Sequence, residues 1–413
     1  MCEEDGMEEF DKSSLYYVDS TPEGTRYSLY DTASWKNGLA FKNIDFSESG
    51  LPVIKIAELN NGISSSTAYT DKTYSQDVFL TKGDYVFSWS GNPETSIDIY
   101  KYNLPDGWLN QHIFKVTPKT EIIDKGFFFY LMKFLKPYFK KIATNKQTTG
   151  LGHVTISDLQ RMSVALPPLP TQQKIAAILS SLDDKIELNN KINTNLEQQT
   201  QALFKNWFVD FEPFGGKMPE GWRVGKLSEY CNFQEGYVNP AQTHNEYFDG
   251  DVKWLRAVDI NESFILNTSR TLTKCGFESA GKSAFLFKPG SIAISKSGTV
   301  GRLGIISDFM CGNRAVIGIE LKEQQNLSYI HQYLKSRQTE FPDMAVGSVQ
   351  KNLYVSILEN LDIIIPSKEV LEKYAKICMP FYDQIKTNCV ENNNLSSIRD
   401  TLLPKLMNGE IEV

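Results

Sequence analysis

Apolar residues recur along this chain with two different periods, and each change of period falls at a proline. Short stretches such as Ser291 to Ser295 and Val316 to Leu321 alternate between Gly and Asn turns, which predicts strands. After Pro167-Pro168-Leu169-Pro170 the spacing becomes seven: Ile175, Leu182, Asn189, Leu196 and Leu203 hold one position, and Leu179, Ile186, Thr200 and Trp207 lie four residues on. After Pro366 the same spacing returns, with Tyr374, Phe381, Asn388, Leu395 and Leu402, then Cys378, Ile385, Arg399 and Leu406 four residues on. Two long helices are therefore predicted, over 172–206 and 371–405, with Thr171 as the cap of the first. Each is about 35 residues and roughly 50 Å long at 1.5 Å per residue. Asn189 and Asn388 sit mid-helix at one seam position. If the helices pack antiparallel and cross at their midpoints, these two amides meet, and a buried Asn pair fixes register at a cost in stability. The alternative is that each faces solvent.

The segments around the helices repeat. Pro22-Glu23-Gly24-Thr25-Arg26 returns 197 positions later as Pro219-Glu220-Gly221-Trp222-Arg223. Lys82 to Gly91, ending Ser-Trp-Ser-Gly, matches Pro289 to Gly298, ending Ser-Lys-Ser-Gly, at a shift of 207. Asn110 to Val116 has its counterpart in Asn313 to Ile319, and Leu159-x-x-Met162-x-Val164-x-Leu166-Pro167 in Leu358-x-x-Leu361-x-Ile363-x-Ile365-Pro366. A shift that drifts and returns is what two diverged copies with loop insertions produce. The expected organisation is a mixed α/β tandem: a globular part at 1–166, a helix at 167–212, a second globular part at 213–366 and a second helix at 367–413. The two helices are expected to form an antiparallel coiled coil with pseudo-twofold symmetry.

Composition narrows the class. A length of 413 residues suits two or three cores, and 41% hydrophobic with 23% charged residues is a globular balance. The longest apolar stretch, around Phe127 to Leu135, is about half the ~20 residues a membrane span needs and is interrupted by Lys133. The start, Met1-Cys2-Glu3-Glu4-Asp5, is acidic where a secretory signal is basic. The expected location is the cytoplasm, with no membrane partner. Six scattered cysteines lack any Cys-x-x-Cys pair, and four histidines lack ligand spacing, so neither a disulfide framework nor a metal is expected. The net charge of −7 argues mildly against nucleic acid. Local charge answers it in part, because Lys133, Lys136, Lys140, Lys141, Lys146 and Arg161 span a stretch with one acid, Asp158. A phosphate-facing strip and a solvated helix face both fit that pattern.

Four pieces of the chain carry a resemblance that covers nearly its whole length: Leu166-Pro-Pro-Leu-Pro-Thr-Gln-Gln-Lys-Ile175, Leu203-Phe-Lys-Asn-Trp-Phe-Val-Asp-Phe211, Pro219-Glu-Gly-Trp222 and Leu402-Leu-Pro-Lys-Leu-Met-Asn-Gly-Glu-Ile411. In this order they resemble the specificity subunit of Type I restriction-modification systems. The resemblance implies two target recognition domains, each reading half of a split sequence in double-stranded DNA. It also implies that the helices dock two methyltransferase subunits, through which restriction subunits attach. On this view the chain is not an enzyme and binds no cofactor itself; S-adenosylmethionine, ATP and Mg are expected on the partners. Helices of the predicted length would hold the two readers somewhat more than one DNA turn apart, at ~34 to 36 Å per turn. Two departures stand out: Thr25 replaces the tryptophan seen at Trp222, and Gly150-Leu-Gly-His153 differs from Gly347-Ser-Val-Gln-Lys-Asn352.

Base readout needs Arg, Lys, Asn or Gln on loops after strands or Gly turns, with separate phosphate anchors. The candidates are Trp89, Ser90, His153 and Thr155 in the first copy, with Lys140, Lys141 and Lys146 on phosphate. In the second they are Lys296, Ser297, Thr299, Arg302, Arg314, Gln350, Lys351 and Asn352. Rival readings are weaker. A methyltransferase needs a cofactor glycine loop and an Asn-Pro-Pro-aromatic motif, and Asn92-Pro93 and Asn239-Pro240 are not so followed. A nuclease built on Asp308 with Glu320-Leu321-Lys322 lacks an equivalent in the other copy. A scaffold or adhesion protein built on a duplicated domain is the remaining alternative.

Overall fold

The structure, a computed structural model, describes residues 16–18, 24–147, 150–347 and 351–413. They form two compact units, one of residues up to 184 together with 395–413, the other of residues 185–394.

The first unit is built on a four-stranded antiparallel sheet in the order β1-β4-β2-β3, where β1 is Ala33–Asn37, β2 Tyr85–Ser88, β3 Asp98–Lys101 and β4 Ile113–Pro118. Two helices, α1 (Lys125–Phe134) and α2 (Lys136–Asn145), cover it. Their aromatic faces supply the core, with Phe127, Phe128 and Phe139 packed among Phe87, Phe114 and Val116. The Asp124 carboxylate accepts the Phe127 N–H at 2.9 Å and so caps α1. Pro137, which has no N–H to give, sits in the first turn of α2, where none is needed. A smaller sheet, lined by Ile54, Leu80, Tyr102 and Trp108, flanks this one. Strand Met162–Leu166 pairs antiparallel with Thr25–Ser28 and leads into α3, Leu169–Phe208.

The second unit repeats the plan. Its sheet runs β5-β9-β7-β8-β6, where β5 is Cys231–Glu235, β6 Phe264–Ile265, β7 Ile292–Ser295, β8 Leu303–Ile306 and β9 Val316–Leu321. Helix α4 (Leu327–Ser336) packs Ile330 and Leu334 onto Ile317, Ile319 and Ile294. Strand Asp362–Ile365 pairs with Arg223–Lys226 and leads into α5, Lys368–Met407. The described parts of all four repeated sequence segments thus fall on equivalent elements. Trp222, where the first copy has Thr25, is buried against Phe208 and Phe214.

Both long helices have 40 residues, about 60 Å of rise, and start earlier than their heptads do. Thr171 is not the cap: α3 starts at Leu169, and the Thr171 N–H already donates to the Pro168 carbonyl at 2.9 Å. Buried Gln172 fastens the helix start instead. It accepts the Asp124 N–H at 2.8 Å and donates to the Pro167 carbonyl at 2.8 Å.

Within the second unit α3 and α5 run antiparallel, and Asn189 and Asn388 are both buried, but they do not pair with each other. Asn189 donates to Asn392 (2.9 Å) and Glu391 (2.7 Å), while Asn388 donates to Asn193 at 2.7 Å. The register is displaced by one turn from a crossing at helix midpoints. Large side chains pack along both helices in this register: Tyr382 meets His331 and Gln332 in the second unit, and Leu406 and Met407 join Ile175 and Leu179 in the first. Phe381, expected in the seam, is half-buried, and its neighbour Tyr382 takes the buried place. In the first unit Arg399 pairs with Asp183 at 2.6 Å, and Asp183 also accepts from Tyr130 at 2.7 Å.

Candidate nucleic-acid interface

Beyond the end of β2 the chain does not turn back at once. Trp89 gives its N–H to the His112 carbonyl (3.3 Å) and takes the Val154 N–H on its own carbonyl (2.8 Å). One residue thereby ties together three loops. The next two residues, Ser90 and Gly91, pair with His153 and Gly152, and the Ser90 hydroxyl lies 2.8 Å from His153 Nδ1. The Trp89 ring stacks on Phe114 at 5.6 Å and lies near His112 and His153 at 5.6 and 5.9 Å. Its Nε1–H donates to Asn37 Oδ1 at 3.0 Å, at the end of β1.

The second unit builds the same hub from other side chains. Lys296, one residue past β7, gives its N–H to the Ala315 carbonyl (2.7 Å) and accepts the Leu353 N–H (2.9 Å). Its ammonium lies 2.7 Å from the carboxylate of Glu235, at the end of β5, and 5.2 Å from the Tyr354 ring. Ladder register proves the equivalence: Asn37 stands opposite Phe114 as Glu235 stands opposite Ile317, and Ser88 opposite Ile113 as Ser295 opposite Val316. After each acceptor comes a glycine with no room for a side chain. A Cβ on Gly38 would lie 2.1 Å from the Asn110 carbonyl oxygen, and one on Gly236 2.3 Å from that of Asn313.

Several candidate residues gather on these loops. Trp89, Ser90 and His153 belong to the first hub, and Lys296 and Ser297 to the second. Arg314 and Lys351 are exposed, Arg302 is half-buried, and none of the three has a side-chain partner among the described residues. Thr299 is exposed, and its carbonyl accepts the Ser295 hydroxyl. Asn352 makes a two-way backbone ladder with Val346, at 3.0 and 2.9 Å. Gln350 lies outside the described residues.

Other candidates are engaged elsewhere. Thr155 caps the short helix Ile156–Arg161 and spends its N–H and hydroxyl on Asp158, at 2.7 and 2.6 Å. Lys146 pairs with the same carboxylate. Burial pushes the Asp158 carboxyl up, but bonds from Lys146 and Thr155 outweigh it and hold the group below its ordinary range. Most of the lysine strip thus carries its own counter-charges. Lys133 and Lys136 share Asp98, and Lys140 meets Glu94 at 2.6 Å, leaving Lys141 alone of its lysines without a partner among the described residues. Sequence reasoning overlooked the acids because Asp98 and Glu94 lie some 40 residues away from those lysines. It also overlooked Asn37, His112, Glu235 and Tyr354. The pairs Asn37-Gly38 and Glu235-Gly236, 198 residues apart, were the available signal.

The supposed nuclease triad is dispersed: Asp308 pairs with Lys253, Glu320 with Lys288, and Lys322 with the Ser228 carbonyl. Among the described residues no group of three or more His, Cys, Asp or Glu is placed to hold a metal ion, and no helix is long and apolar enough to cross a membrane.

A mixed α/β chain with one loop hub built twice, joined through two long helices, defines a duplicated recognition module. A sequence model of the family described as "Type I restriction modification DNA specificity domain" matches residues 25–198 and again 219–396, and the chain belongs to that family. It is 29% identical to the Type I restriction enzyme HindI specificity subunit of Haemophilus influenzae, covering 80% of this chain and 87% of that one. It is 28% identical to the MjaIX specificity subunit of Methanocaldococcus jannaschii, covering 74% and 73%. The fold matches the crystal structure of a Type I system S subunit from M. genitalium with a TM-score of 0.56 at 16% identity, over 93% of this chain and 96% of that one.

Proposed function

We propose that this chain is the non-catalytic, sequence-reading subunit of a Type I complex, in which residues 1–166 and 213–366 each read one half of a split DNA target. Residues 167–212 and 367–413 serve as the joining helices. They dock two methyltransferase subunits, and restriction subunits attach through these. S-adenosylmethionine, ATP and Mg act on the partners.

The observation that carries this reading is the hub made twice on one backbone pattern from different side chains: Asn37 with Trp89 in the first unit, Glu235 with Lys296 in the second. Structural residues would be expected to match across the repeat, as the glycines and apolar strands do. Readers of two unlike half-sites would not. Single-molecule sequencing of DNA from a methylation-deficient host that carries this chain and its methyltransferase tests the proposal. A methylated adenine motif of two short halves around an unspecified gap is expected. An assembled complex that methylates no split motif refutes it.

A further inference from the structure

We infer that Glu235 and Lys296 act as one specificity-determining pair that reads a guanine–cytosine base pair in the half-site of the second unit; this rests on the proposed function.

The pair is set before any ligand arrives. The side chains are 13% (Lys296) and 18% (Glu235) exposed, and the charged atoms are 2.7 Å apart. Both backbone groups of Lys296 are fixed by neighbouring loops, and the glycine after Glu235 is pinned against Gly312 and Asn313. Little side-chain freedom remains to be lost on binding, which favours affinity and precise placement.

Such a pair suits a base edge and not a phosphate. A lysine that carries a carboxylate at contact distance is close to neutral as a unit, and that carboxylate repels the DNA backbone. The cations that suit phosphates are those on the adjoining loops without a side-chain partner among the described residues, Arg302, Arg314 and Lys351. In the major groove, guanine offers two adjacent acceptors, N7 and O6, and cytosine offers the N4 donor beside them. An ammonium with donors to spare matches the first two, and a carboxylate with free lone pairs matches the third. An adenine–thymine pair presents a donor between two acceptors and then a methyl group, which leaves an acceptor unmatched and brings a methyl against charge.

The first unit supports the assignment by contrast. At the same two positions it holds Asn37 and Trp89, with no charge. The Asn37 oxygen is taken by the indole N–H, and its amide NH2 has no partner among the described residues. That hub offers donors without a carboxylate and so fits a different base.

The test uses the full chain assembled with its methyltransferase, and a pool of duplexes of random sequence as probe. Compared are the parent, Lys296→Met, Glu235→Gln, the exchanged pair Glu235→Lys with Lys296→Glu, and Arg314→Gln as a phosphate control. Each single hub variant is expected to lose preference at one G·C position in one half, with the other half selected as before. The slope of log K against log salt should fall by about one for Arg314→Gln and should not fall for Glu235→Gln. The exchanged pair restores the melting temperature but not the base preference. Relaxation at an A·T position, in both halves or nowhere overturns the inference, as does restored preference in the exchanged pair, which would make the bridge purely structural. Failure of the parent to select a split motif refutes the underlying function instead.

Discussion

Replacing Asn388 by leucine, alone and with Asn193→Leu, beside Asn193→Leu by itself, tests whether the buried amides in the second unit satisfy each other across the two helices. Asn388 is 3% exposed and Asn193 8%. The Asn388 amide donates to Asn193 at 2.7 Å, and its oxygen accepts from Gln384 at 2.7 Å. The single change leaves the Asn193 oxygen without a donor in a closed seam, whereas exposed Gln384 turns to water. An orphaned buried polar group costs about 1–3 kcal/mol. For a unit of roughly 200 residues, at ~3 °C per kcal/mol, the transition should fall by roughly 3–9 °C. The double change removes both polar groups and buries two apolar ones, so its stability should equal or exceed that of the parent, with a coupling energy of ~1–3 kcal/mol opposing the single losses. Scanning calorimetry gives the values, and hydrogen exchange assigns the transition to residues 185–394, because a chain of two units need not unfold in one step. Additive losses, with the double variant worse than either single one, would refute the reasoning.

Three other outcomes follow from the geometry. His331 is buried beside Tyr382, and burial followed by the charge of Lys335 pushes its imidazole down to about 3. The unfolded chain therefore takes up the proton first, so stability is complete above about 6.5 and declines by up to ~1.4 kcal/mol per pH unit as pH falls from there toward 3. His331→Leu should remove that slope, and a calorimetric series from pH 3 to 7 measures it. Asp158→Ala should cost the first unit about 1–3 kcal/mol above pH 4, a loss that shrinks as acid protonates the parent carboxylate, and should weaken selection of one half-site only. Gly236→Ala should abolish selection of one half of the target and Gly38→Ala selection of the other, since each Cβ would sit within 2.3 Å of a backbone oxygen; loss of both halves from either variant would contradict two independent hubs.

The sequence displays what the duplication kept. Glycine turns, apolar strands and heptads are short-range patterns, and they predict the tandem α/β plan, both long helices and the equivalence of Asn110 with Asn313. Register and charge neutralisation are long-range properties. No local pattern says that Asn189 meets Asn392, or that Asp98 takes up two lysines of the basic strip. The hub escaped notice for the same reason. Asn37 and Trp89 lie 52 residues apart, and Glu235 and Lys296 61, so each pair exists only once the sheet has placed β1 beside β4 and β5 beside β9.

On the proposed function, that sheet order also explains how one scaffold carries two specificities. In both units the residue after the strand that pairs with the long β4 or β9 strand, Trp89 after β2 and Lys296 after β7, gives its N–H to one loop and its carbonyl to another, and both bonds belong to the backbone. Neither depends on the side chain, so tryptophan and lysine occupy the position equally well. The facing residue ends an outer strand and is followed by a glycine whose tight contact fixes the chain direction, so asparagine and glutamate are likewise interchangeable for folding. Selection on the bases read can thus act on these two side chains while the hydrogen bonds that hold the loops together stay as they are. Mutations that alter the bases read should therefore concentrate at such positions, and mutations that abolish reading at the glycines beside them.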